Sequence, residues 1–84
     1  MTEVILDDKT RVDCLTDQYA VEVDFATKWA ESIGQALFYG MKTGRRPGVL
    51  LIMENDDDDR YLERLNLTAE KYGITTWIIS PTEL

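Results

Sequence analysis

The chain has 84 residues, 44% of them hydrophobic, and carries a net charge of −7 with no histidine. A chain this short makes one domain, residues 1–84, with a limited core, and its apolar fraction and two tryptophans argue against disorder. No apolar run approaches the ~20 residues of a membrane span. The opening MTEVILDDKT lacks the basic start and apolar stretch of a signal peptide, and Cys14 has no second cysteine to pair with. A cytoplasmic protein without membrane association is therefore expected.

In chain order, residues 4–6 read as a short strand and Asp7-Asp8-Lys9-Thr10 as its turn. Residues 11–15 form a second strand. Asp17-Gln18 is a two-residue turn, although it lacks the usual glycine. Residues 19–24 form a third strand, in which Tyr19, Val21 and Val23 alternate with Ala20, Glu22 and Asp24. Residues 25–43 form the main helix. Ala26, Trp29, Ala30, Ile33, Ala36, Leu37 and Met41 recur there at helical spacing and give it a broad apolar face, and Gly44 ends it. Residues 45–48 read as a loop. The unbroken apolar run 49–53 is expected of a central strand covered on both faces. Residues 56–72 form a second helix: its acidic start suits the positive end of the helix dipole. Leu62, Leu65 and Ala69 supply its apolar face, and Gly73 stops it. Residues 74–79 form the last strand. The order β-β-β-α-β-α-β, closed by a right-handed parallel crossover, gives an α/β domain whose mixed sheet has an antiparallel meander at one side.

The acid surplus argues against nucleic-acid binding at first sight, but the charges are grouped. Five acids, Glu54 and the four aspartates 56–59, occupy one short segment. Asp13, Glu22 and Asp24 form a second group, where a bound cation would offset them, and the basic residues Lys42, Arg45 and Arg46 gather elsewhere.

If the 17–18 turn sets Thr16 opposite Tyr19, then Asp13 lies opposite Glu22, Val12 opposite Val23 and Cys14 opposite Val21. One face of the pair is then apolar, and the other carries Asp13, Glu22 and Asp24. Directly opposed side chains sit within about 5 Å at Cβ, and like charges there are destabilising unless a cation or proton intervenes. Oxygen donors in a chain without histidine favour Mg²⁺ or Mn²⁺ over Zn²⁺. Such a site, completed by waters and a substrate phosphate, suits phosphodiester hydrolysis. The competing reading is a solvent-facing strand pair whose carboxylates are merely hydrated.

Lys28, Glu31, Gln35, Tyr39 and Lys42 fall on one narrow helical stripe, on the side away from Trp29, Ile33 and Leu37. The stripe is either functional or a solvated face with helix-stabilising pairs. Lys42, Arg45 and Arg46 either contact phosphates or serve a helix C-terminus that prefers cations. The 54–59 segment lacks the glycine and the spaced ligands of a calcium loop and reads as a solvated helix start. Cys14 falls on the apolar face of its strand, where packing is its expected role. A Ser-His-Asp set is impossible without histidine, and no glycine-rich phosphate loop is present.

Arg11-Val-Asp13, then Ala20-Val-Glu22-Val-Asp24, then a long helix and an apolar strand, resembles the PD-(D/E)XK nuclease superfamily over roughly residues 4–79. Gln35-Ala-Leu-Phe-Tyr39 is similar to the Gln-x-x-x-Tyr motif of its RecB-type members. The resemblance implies a restriction-endonuclease-like fold and Mg²⁺- or Mn²⁺-dependent endonuclease activity, with DNA as the expected substrate. It makes Asp13 and Glu22 metal ligands and catalytic residues and Gln35 and Tyr39 nucleic-acid contacts; Asp24 joins the expected metal ligands, and the basic Lys42, Arg45 and Arg46 join the expected nucleic-acid contacts. Two departures stand out. The family's lysine, two residues after the glutamate, is Asp24 here; in members that move it onto the following helix its counterpart is Lys28. The usual N-terminal helix is also missing, so a homodimer mate or a partner chain is a candidate source of what is absent. The alternative is a catalytically inactive nuclease-like fold acting as a binding or assembly module.

Overall fold

The computed structural model describes residues 2–83. Its strands are β1 (Thr2–Ile5), β2 (Arg11–Leu15), β3 (Tyr19–Phe25), β4 (Arg46–Ile52) and β5 (Thr75–Ile79), with helix α1 (Trp29–Thr43) between β3 and β4 and helix α2 (Asp59–Tyr72) between β4 and β5. The five strands form one mixed sheet in the order β1-β2-β3-β4-β5. β1, β2 and β3 are an antiparallel meander, while β3, β4 and β5 run parallel. Among the described residues no helix is long and apolar enough to cross a membrane.

Local chemistry accounts for the boundaries. The Thr16 amide donates to the Tyr19 carbonyl at 2.9 Å, and the Thr16 hydroxyl accepts from the Gln18 and Tyr19 amides, so threonine supplies the turn bonds that a glycine turn would not need. Both α-helices stop at a left-handed glycine, Gly44 at φ 68° and Gly73 at φ 71°, the conformation glycine adopts without steric cost. Each helix is entered through a 3₁₀ turn, Ala26–Lys28 and Asp56–Asp58.

Both crossovers lie on one face of the sheet. A single buried cluster joins Val49 and Leu51 of β4 to Ala36 of α1 and to Leu65 and Ala69 of α2, with Trp29, Ile33, Tyr61 and Leu62 packed against it. Burying each large aliphatic side chain contributes roughly 1.5–3 kcal/mol. β4 is therefore an interior strand, next to the edge strand β5, and is covered by helices on one face only: Leu50, between the buried Val49 and Leu51, is half-exposed on the other. The segment expected to be a loop before β4 is largely strand. Arg46, Pro47 and Gly48 pair with Tyr19, Ala20 and Val21, because the parallel partner β3 begins level with them.

The buried stripe of α1 is rotated from the sequence expectation. Ser32, Ala36 and Gly40 are its buried positions, whereas Leu37 and Met41 are exposed, Met41 by 74%. Small residues line the contact because the helix lies close to the sheet: a Cβ on Gly40 would sit 3.2 Å from the Pro47 ring. Larger side chains are excluded from that line whatever their hydrophobicity.

Candidate functional site

The β2–β3 register is the one the short turn predicts, Cys14 opposite Val21 and Leu15 opposite Ala20. The ladder ends there, so the expected Asp13–Glu22 and Val12–Val23 pairs are not part of it: beyond Cys14 the Asp13 carboxylate enters the backbone bonding, and its Oδ2 accepts the Val23 amide at 2.9 Å. Asp13 thereby has a structural role as well as a candidate chemical one. Glu22 is level with Val49 on the neighbouring strand, and Val49 is fully buried under the helices. The acidic face of the hairpin is thus the helix-covered face, not the solvent-facing one of the competing reading.

Glu22 is the consequence of that arrangement. It is only 3% exposed, and its Oε1 is buried without a hydrogen-bond partner. Its pKa is pushed up to about 8, first by burial, then by the Asp13 charge and a hydrogen bond with Asp13, and then by Asp24. Asp24 is raised as well, by burial and by Asp13, with Lys28 opposing the shift and Glu31 adding to it. The site therefore gathers Asp13, Glu22 and Asp24 with Lys28 and Glu31 at the entry to α1. Glu31 had counted only as part of the helical stripe. Its position three residues after Lys28 was the available signal for its membership. The Lys28 cation acts on Asp24, whereas the charges acting on Glu22 are both negative.

Only oxygen donors are present, and Glu22 offers a buried oxygen in need of a positive partner. That donor chemistry fits Mg²⁺ or Mn²⁺ held by one or two carboxylates with waters and phosphate completing the shell. Among the described residues, no group of three or more His, Cys, Asp or Glu side chains is arranged to hold a metal by itself.

The remaining candidate residues lie elsewhere. Gln35 is exposed and Tyr39 half-exposed on α1, Tyr39 packed edge-on against Phe38 at 5.3 Å. Lys42 pairs with Asp7 at 3.0 Å, which raises its pKa, and shares a shallow depression with Arg45. Arg46 instead sits level with Tyr19 on the neighbouring strand, and the Tyr19 pKa is lowered by Thr75 first and Arg46 second. The basic residues thus diverge at the end of α1, about 21 Å along the helix from Lys28 at 1.5 Å per residue. Glu54, Asp56, Asp57 and Asp59 are exposed, as expected of a solvated helix start, but Asp58 is buried. Its Oδ2 accepts the Glu54 and Asn55 amides at 2.9 and 3.1 Å, which folds the loop back onto the α2 entry.

No family model matches the sequence, and neither the curated proteins nor the solved structures yield a significant match.

Proposed function

We propose that this domain is a divalent-metal-dependent nuclease of the PD-(D/E)XK kind, acting on DNA, with Asp13 and Glu22 as its metal ligands. The observation that carries the reading is the buried, unpartnered carboxylate oxygen of Glu22 beside Asp13 and Asp24. A protein gains nothing in stability from crowding three acids under a helix, so a cation or a proton must compensate them. When bound, Mg²⁺ or Mn²⁺ supplies Lewis acidity toward a phosphoryl oxygen and an acidified water.

The chain's own residues do the rest. Asp13 is held in place by the Val23 amide, so one ligand is pre-oriented by the strand pair. Glu22 must lose its proton to serve, which couples metal affinity to pH. Lys28 offsets the charge of Asp24, the residue at the position where the family pattern has lysine. Lys42 and Arg45, at the far end of α1, are proposed phosphate contacts, whereas Arg46 lies on the sheet face away from the acids, and Gln35 and Tyr39 lie between Lys42 and the acids along the helix.

A second reading, a nuclease-like module that does not cut, is favoured by the absence of a cation acting on Glu22. Calorimetric titration with Mn²⁺ at pH 6.5 and 8.5, followed by a plasmid-cleavage assay, separates the two. The nuclease reading expects binding that tightens at the higher pH, is lost in Glu22→Gln, and accompanies cutting that is also lost. Binding without cutting identifies the module, and no binding at pH 8.5 overturns the metal site itself.

A further inference from the structure

With both helices on one face, the other face of the sheet carries no helix, although Val21 and Ile52 on it are already buried within the chain. Tyr19, Val21, Gly48, Leu50 and Trp77 share it through the parallel register. Trp77 lies across Gly48, where a Cβ would come within 2.7 Å of the indole, and packs edge-on against Tyr19 at 5.1 Å. Together with Cys14, Val21, Leu50 and Ile79, these aromatics line a shallow apolar depression of about 400 Å³. Trp77 remains 38% exposed. A tryptophan anchor in an apolar patch is the composition of an interface centre.

We propose that this face is the interface of a homodimer, two copies stacking sheet against sheet with the helices outermost. Charge does not oppose a second copy there despite the net charge of −7 per chain. The strand acids Glu22 and Asp24 project to the helix side, and among the β3–β5 positions on the bare face only Arg46 is charged. Stacking there removes apolar surface from water while the two acid loads point outward.

Size agrees. Five strands at about 4.8 Å spacing, each 4–7 residues long at about 3.3 Å per residue, present a face of roughly 450 Å² in projection. Two such faces, roughly 900 Å² in projection before side-chain relief is counted, approach the ~1,000 Å² that a specific interface requires. The chain is a slab of 38 × 29 × 19 Å, and doubling its thinnest dimension makes a nearly isometric particle. Aligned sheet-on-sheet packing at about 10 Å separation is a standard arrangement.

The test uses the intact chain. Sedimentation equilibrium should give twice the 9.7 kDa chain mass. The alkylation rate of Cys14, a free thiol on this face, should fall at least tenfold as protein concentration rises through the dissociation constant. Leu50→Lys should yield a monomer whose circular dichroism is that of the wild type, while Met41→Lys, on the helix layer, should leave the dimer intact. A monomer at all concentrations up to about 1 mM overturns the proposal. So does a dimer whose Cys14 reactivity is independent of concentration, since its interface would lie elsewhere. Neither result bears on the metal site, which is on the opposite face.

Discussion

Replacing Glu22 with Gln should flatten the dependence of stability on pH. The folded pKa of about 8 lies above the ordinary 4.5, so the native state keeps a proton that the unfolded chain has released. Stability from this group is full below pH 4.5 and falls as pH rises toward 8. The slope is at most about 1.4 kcal/mol per pH unit, which integrates to on the order of 4–5 kcal/mol as an upper bound. A domain of this size has about 4–13 kcal/mol in all, so the wild type should weaken visibly by pH 8.5 in the absence of divalent metal. Gln preserves shape and a donor toward Asp13 but never ionises.

Urea denaturation followed by tryptophan fluorescence at pH 5.5, 7 and 8.5, with EDTA present, reads the difference. The variant should be within about 1 kcal/mol of wild type at pH 5.5 and more stable by several kcal/mol at pH 8.5. Parallel curves across the range would refute the claim that Glu22 is buried against like charge. Repeating the wild type in Mn²⁺ extends the argument to the proposed metal. An ion at about 100 times its Kd adds ~2.7 kcal/mol, and that gain should be present at pH 8.5 and absent in Glu22→Gln.

Substitutions at three positions test the surrounding framework. Asp13→Ala removes the acceptor of the Val23 amide and should cost about 1 kcal/mol, whereas Asp13→Asn, which keeps an acceptor oxygen, should cost less in the same urea assay. Asp58→Ala leaves the Glu54 and Asn55 amides without their acceptor and should lower stability by about 1–2 kcal/mol. Gly48→Ala drives a methyl into Trp77, which should cost roughly 1–3 kcal/mol and shift the Trp emission. An unchanged spectrum would show that the ring does not lie over Gly48.

The parts of this fold legible in the sequence were those governed by local chemistry. The short turn fixed the Cys14–Val21 register, although the ladder does not continue to Asp13 and Glu22, and Gly44 and Gly73 marked the helix ends because left-handed φ selects glycine. What was misread depended on distance between layers. Leu37 and Met41 fit the helical period, yet the close approach of α1 to Pro47 admits only Ser32, Ala36 and Gly40. The apolar run of β4 suggested cover on both faces, but hydrophobicity does not say whether successive crossovers lie on the same side. Asp58 resembled its exposed neighbours 56, 57 and 59, and only the return of the loop distinguishes it.

The two proposals follow from one property of β3. Its alternating pattern fits a half-buried strand, and the usual solution turns the apolar side chains toward the helices and the carboxylates toward water. Here the orientation is reversed: Glu22 and Asp24 lie on the side of the core residues Val49 and Leu51, and Val21 and Val23 on the bare side with Leu50 and Trp77. Each half of that reversal is unfavourable in an isolated chain, the first through desolvated charge and the second through exposed apolar surface. Flipping the strand by one residue would relieve both, but β3 is held in register by the Thr16–Tyr19 turn on one side and seven parallel pairs with β4 on the other. A strand locked in the costly orientation is most simply understood if both faces are occupied in the working protein, the acidic one by a cation and the apolar one by a second copy.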